Sequence, residues 1–101
     1  MGQKIHLIPV PEIVCIRSDG DYVQIVTDRE KFLKEETMKY FEAGLPPALF
    51  VRVHRSCIVN VEKILRIERY EKQQRILILK NGDRVRTSTP GYRALQSALN
   101  L

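Results

Sequence analysis

The run Arg75 to Thr87, "RILILKNGDRVRT", constrains the fold of this chain more than any other. Two β-forming stretches flank Asn81-Gly82, a strong short-range hairpin signal because both residues tolerate the left-handed backbone that tight hairpins need. A hairpin alone is marginal in water, so further strands must share its apolar face. The chain supplies them. "EIVCIR" (Glu12 to Arg17) is nearly all β-branched or small and apolar and reads as a buried strand. "SDGD" (Ser18 to Asp21) has turn chemistry, and "YVQIVT" (Tyr22 to Thr27) alternates as a returning strand, which predicts a second hairpin. Shorter extended pieces are expected at Lys4 to Leu7, around Phe32-Leu33, at Phe50 to Arg52, at Cys57 to Val61 and at Ile64 to Arg69. In the last of these the spacing of Ile64 and Ile67 slips, which predicts a bulge or break near Leu65.

Only two segments carry a helical period. Thr37 is a good N-cap for a helix from Met38 to Ala43, Gly44 a good stop, and "GLPP" denies continuation. Tyr92, Leu95 and Leu99, at spacings of three and four, predict a second helix over Tyr92 to Leu99. The sum is a mostly β fold of short strands with two short helices. It has no pair of consecutive long helices for a helix-turn-helix, no heptad zipper and no zinc-finger spacing, so any nucleic acid would be met by strands and loops.

At 101 residues, positions 1–101 make one domain with one modest core. Cys15 and Cys57 lie inside apolar strand stretches and read as small hydrophobes. With no CxxC pair, and with His6 and His54 far apart, no metal or cofactor is implied. No apolar run is long enough to span a bilayer and no signal segment follows Met1, so a cytoplasmic location without membrane attachment is expected. Met1-Gly2 opens like a myristoylation signal, but that motif wants Ser or Thr where His6 stands. Spaced carboxylate pairs, a phosphate-cradling Gly loop and a nucleophile motif are missing, which argues against an enzyme or a small-molecule substrate.

The charge is uneven. Residues 1–49 hold six Lys or Arg against eight Asp or Glu, and residues 50–101 hold eleven against four, so the net +5 belongs to the second half. A polyanion partner fits that half. Within it, "LFVRVHRSCIVN" (Leu49 to Asn60) sets Arg52, His54 and Arg55 between strand-forming runs. If the segment stays extended, Arg52 and His54 share a face. Arg84 and Arg86, two apart on the late hairpin, face together with Lys80 beside them, and on the side that carries Arg52 and Arg55 they would track a phosphate backbone. Each has a plainer reading as well. His54 can bond to backbone or to Ser56 and hold the loop in shape, Ser56 can cap a turn, and Asn60 can bond its own backbone at a bend.

The run "LFVRVHRSCIVNVEKI" (Leu49 to Ile64) resembles the central motif of LytTR-type DNA-binding domains, the output domains of many bacterial response regulators. "IVCIRSDGDYVQIVT" resembles that family's first hairpin, "LILKNGDRVRTS" its last, and Tyr92 to Leu99 its terminal helix, so the likeness covers essentially the whole chain. It implies an elongated, mainly antiparallel fold whose loops enter successive major grooves on one side of a bent duplex. It also implies regulation of transcription, and two copies on directly repeated half-sites that pair on DNA. A receiver domain commonly precedes this module. Base contacts would come from Asp21 or Tyr22 in the first hairpin loop, from Arg55, and from a position after the last strand where the family usually places an Arg following a Ser. Here Ser88 is followed by Thr89, Pro90 and Gly91, so Arg86 or Arg93 must supply that contact if Pro90 has displaced it. Phosphate contacts would come from Arg52, His54, Ser56, Lys80, Arg84 and Ser88. The alternative function is a β-rich protein-interaction module, favoured if the Arg84 and Arg86 face carries paired carboxylates. RNA binding is disfavoured because no strand carries a pair of aromatics to stack bases.

Overall fold

β1 (Ile13–Asp19) and β2 (Tyr22–Thr27) pair antiparallel through a two-residue turn in which Gly20 has φ +62°. A positive φ at the first turn position is what Gly provides without strain. β2 also pairs with β3 (Lys31–Lys34), while β1 pairs with β5 (Cys57–Asn60) and β5 with β4 (Phe50–His54). The result is an antiparallel five-stranded sheet in the order β3-β2-β1-β5-β4. β6 (Ile64–Arg69), β7 (Arg75–Leu79) and β8 (Arg84–Arg86) form a second, three-stranded antiparallel sheet. The computed structural model describes residues 5–101, with principal extents of 52 × 23 × 22 Å, so the mostly β domain is elongated.

Both faces of the larger sheet are covered around β1 and β5, which is why those strands read as near-continuous apolar runs. One face, with Cys15, Cys57 and Val59, packs against Leu77, Leu79 and Val85 of the smaller sheet and Leu95 of α2 (Thr89–Leu99). The other, with Ile16, Ile25 and Ile58, packs against Met38 of α1 (Met38–Gly44). α1 starts as the sequence predicts, because Tyr40 N donates to Thr37 Oγ1 at 3.0 Å. Thr37→Ala is expected to lower the unfolding free energy by about 1 kcal/mol in a urea titration, since that donor would lose its partner.

Several local expectations change. Residues 5–9 form no strand, and the rest of the strand expected at Lys4 to Leu7, like Met1-Gly2, lies outside the described residues. Pro9 and Pro11 deprive this segment of ladder donors. The late hairpin forms, but only Gly82 (φ +94°) is left-handed; Leu79 N donates to Asp83 O at 2.9 Å, closing a three-residue loop that ends in a bulge. α2 begins three residues before Tyr92. Ser88 caps it by accepting from Gly91 N at 3.0 Å, and Pro90 in the first turn lacks only a donor that the helix would leave unused. The break near Leu65 is a register shift between Ile64 and Arg66 that leaves Leu65 exposed. No helix among the described residues is long and apolar enough to cross a membrane.

Candidate nucleic-acid interface

The strand directions gather three loops at one end of the molecule. β1 pairs antiparallel with β5, and Ser18 N donates to Ser56 O at 3.0 Å, so the β1–β2 turn and the β4–β5 turn lie side by side. Ser88 N donates to Val53 O at 2.9 Å, which docks the β8–α2 junction against the end of β4, next to His54. Asp21, exposed, sits in the first of these loops with the exposed Tyr22 opening β2 beside it, and Arg55, also exposed, sits in the second. The Arg55 guanidinium has no hydrogen-bond or ion-pair partner among the described residues.

Between the two sheets at this end lies a cleft of about 340 Å³ lined by Arg17, Ser18, His54, Ser56 and β8, with Cys57 at its wall. None of its lining residues is a carboxylate. Arg17 reaches across from the larger sheet to donate to Arg84 O at 3.2 Å. His54 is oriented by its neighbour: Ser56 N donates to Nδ1 at 3.2 Å, with Ser56 Oγ 2.9 Å from the same nitrogen. A main-chain N–H can only donate, so the proton of the neutral ring sits on Nε2, leaving that nitrogen as a donor.

Arg52 is not brought to this cleft. The β4–β5 ladder pairs Arg52 with Ile58 but His54 with Cys57, a bulge at Val53 that turns His54 to the inter-sheet face and leaves Arg52 on the α1 face. The expectation that the two side chains face together is corrected by that one extra residue. Arg52 instead pairs with Glu42 at 2.9 Å and donates to Arg55 O at 2.6 Å, so it shapes the turn that carries Arg55. Asn60 bonds its own backbone at a bend, as the plainer reading expects, and is fully buried as well. Its Oδ1 accepts from Glu62 N and its Nδ2 donates to Ile13 O, each at 2.9 Å.

Arg84 and Arg86 do share a face, opposite the side on which Val85 meets Leu77. One carboxylate joins them. Glu68 bonds Arg66 at 2.8 Å and stands 4.0 Å from Arg84, while Arg86 lies over the Tyr70 ring at 5.6 Å. Exposed contacts of this kind are weak and leave both guanidinium groups available. Lys80 is elsewhere: its N–H donates to Lys63 O at 2.8 Å, on the flank where Lys63 pairs with Asp28. Arg93 faces Gln73 at 3.4 Å, away from the cleft. Ser88 spends its hydroxyl oxygen on the α2 cap. Arg17 and Ser18 were not singled out by sequence reasoning. The usable signal was the β1 alternation, which sets Arg17 on the face of Cys15, two residues on.

Cys15 and Cys57 are free and buried in the same inter-sheet core. The neighbouring Cys15 thiol, and then burial, push the Cys57 thiol far above the ordinary thiol range, so it stays protonated and acts as packing. Among the described residues, no three His, Cys, Asp or Glu side chains gather as metal ligands would.

The chain is 31% identical over 99 residues to the sensory transduction protein LytT of Bacillus anthracis, covering 98% of this chain and 40% of that protein. It is 26% identical over 101 residues to the transcriptional regulatory protein LytR of Staphylococcus aureus strain MW2, covering 100% of this chain and 41% of that one. The chain therefore spans about two fifths of the length of these relatives. A solved LytTr DNA-binding domain from Bacillus cereus superposes with a TM-score of 0.87 at 24% identity, covering 93% of this chain and 86% of that one, and so shares its fold. The family model described as the LytTr DNA-binding domain matches residues 3–100, and the chain belongs to that family.

Proposed function

We propose that this domain binds double-stranded DNA sequence-specifically as the output module of a bacterial transcription regulator in the cytoplasm. The observation that carries the reading is the family match over residues 3–100. The geometry supports it, because a carboxylate-free cationic cleft stands beside an unpartnered Arg55 at the end where three loops meet. In this reading the loops enter successive major grooves on one side of a bent duplex. Arg55 donates to guanine O6 and N7, His54, Ser56 and Arg84 fix register on phosphates, and Arg86 supplies the contact that Pro90 lacks. Arg52 acts indirectly, holding the Arg55 main chain. Tyr22 and Asp21 flank the groove, with Asp21 turned to a base donor rather than to phosphate. One module reads few base pairs, so two copies on directly repeated half-sites would assemble on DNA. A receiver or sensor domain of a longer protein would supply the signal.

Selection of bound sequences from a random duplex pool at about 150 mM salt tests this reading, salt being stated because it sets the phosphate contribution. A short enriched motif is expected. With Arg55→Ala the preference should weaken at one or two adjacent positions, by about 1 to 3 kcal/mol. Uniform weakening at every position would make Arg55 a phosphate contact. No enriched motif from the parent domain would favour the protein-interaction module instead.

A further inference from the structure

We propose that Arg17, His54 and the open edge of β8 form a seat for one backbone phosphate of the duplex, with Arg17 as its principal charge. The proposal rests on the DNA-binding reading above and deepens it, by assigning a phosphate contact to a residue of the acidic half of the chain. Three observations place donors around the same space. First, Arg17 spends one N–H on Arg84 O and lines the cleft with the rest of a five-donor group. Second, the bond from Ser56 N to Nδ1 leaves the Nε2 proton of His54 free to donate, and Ser56 adds a hydroxyl.

Third, β8 is an edge strand. Leu79 N donates to Asp83 O and Thr87 N to Arg75 O, so residues 83, 85 and 87 turn their main-chain groups to β7. The antiparallel alternation then turns those of Arg84 and Arg86 outward to the cleft, as the bond from Arg17 to Arg84 O shows. The N–H of Arg86 thereby joins the guanidinium and the imidazole around one concavity. Partial burial of Arg17 screens its charge less than that of a fully exposed side chain, so its pull on an anion is stronger than that of a free surface cation. Asp83 lies close enough to act on Arg17, but Asn81 Nδ2 donates to its carboxylate at 3.3 Å in the hairpin loop, and Asp83 does not line the cleft.

Binding to the enriched duplex is measured across a salt series for the parent domain, Arg17→Gln and Arg17→Lys, with a thermal midpoint for each. In the Gln variant the slope of log K against log salt should fall in magnitude by about 0.9, the loss of one neutralised phosphate, while the enriched motif stays the same. The Lys variant should keep the parental slope, since charge is retained although the bond to Arg84 O is altered. An unchanged slope in Arg17→Gln, whether or not the thermal midpoint drops, would make Arg17 a tie between the sheets and overturn the proposal. Inorganic phosphate is titrated in parallel against chloride of equal ionic strength, and no difference in midpoint is expected. A phosphate-specific rise that Arg17→Gln abolishes would reassign the seat to a small phosphate ligand. A parent domain that binds no duplex would overturn the functional reading itself, a result distinct from failure at Arg17 alone.

Discussion

Replacing Gly91 with alanine should destabilise the domain by about 3 kcal/mol, at the upper end of the cost of overpacking. Helix propensity alone points the other way, because alanine inside a helix is worth about 1 kcal/mol over glycine. Packing decides the sign. A Cβ at this position would lie 1.8 Å from Val53 O and 2.3 Å from Val53 C, and both are main-chain atoms that no rotamer change can move. The first turn of α2 cannot simply shift outward. Ser88 N is bonded to the same Val53 O, so displacing the helix breaks the junction that seats it on β4. His54 follows Val53 directly, and duplex binding should therefore weaken along with stability. A urea titration with unchanged m-value would report the first effect as a lower midpoint. A variant as stable as the parent would show that the helix and strand do not approach this closely.

Asn60→Ala should cost about 2 to 3 kcal/mol, mostly from the buried Ile13 carbonyl left without a partner, with a lesser share from the part-buried Glu62 N–H. The β1–β5 ladder runs only from Cys15 to Arg17 and stops short of Ile13. The Asn60 amide fills the gap by donating to Ile13 O, and its oxygen accepts from Glu62 N at the start of the following 3-10 turn. Alanine satisfies neither. The prediction is checked by equilibrium unfolding, and a loss under about 1 kcal/mol would mean that water or a main-chain shift replaces both bonds. Duplex affinity measured well below the transition should change little, because Asn60 lies at the opposite end of β5 from the turn that carries Arg55.

Much of the architecture was legible because it depends on neighbours in sequence. The Gly20 turn, the Thr37 cap, the hairpin at Gly82 and the slip at Leu65 each follow from the backbone preferences of a few adjacent residues. The start of α2 differs from the periodic pattern for a local reason too. Ser88 and Pro90 are ordinary opening residues for a helix, but the apolar period begins only at Tyr92, so periodicity alone places the start late.

The candidate site divides differently. The types of side chain that meet at the cleft, and the excess of cations in residues 50–101, were determined by the sequence alone, as was the exposed position of Arg55 in a tight turn between two strands. Which cations stand together was decided only by tertiary structure. One bulged residue at Val53 separates Arg52 from His54, Glu42 of the preceding helix takes up Arg52, and β1 carries Arg17 from the acidic half to the edge of β8. Side-chain direction in a strand inverts with every single-residue change of register, and register is set by pairing between strands, whether neighbours like β4 and β5 or far apart in the chain like β1 and β5.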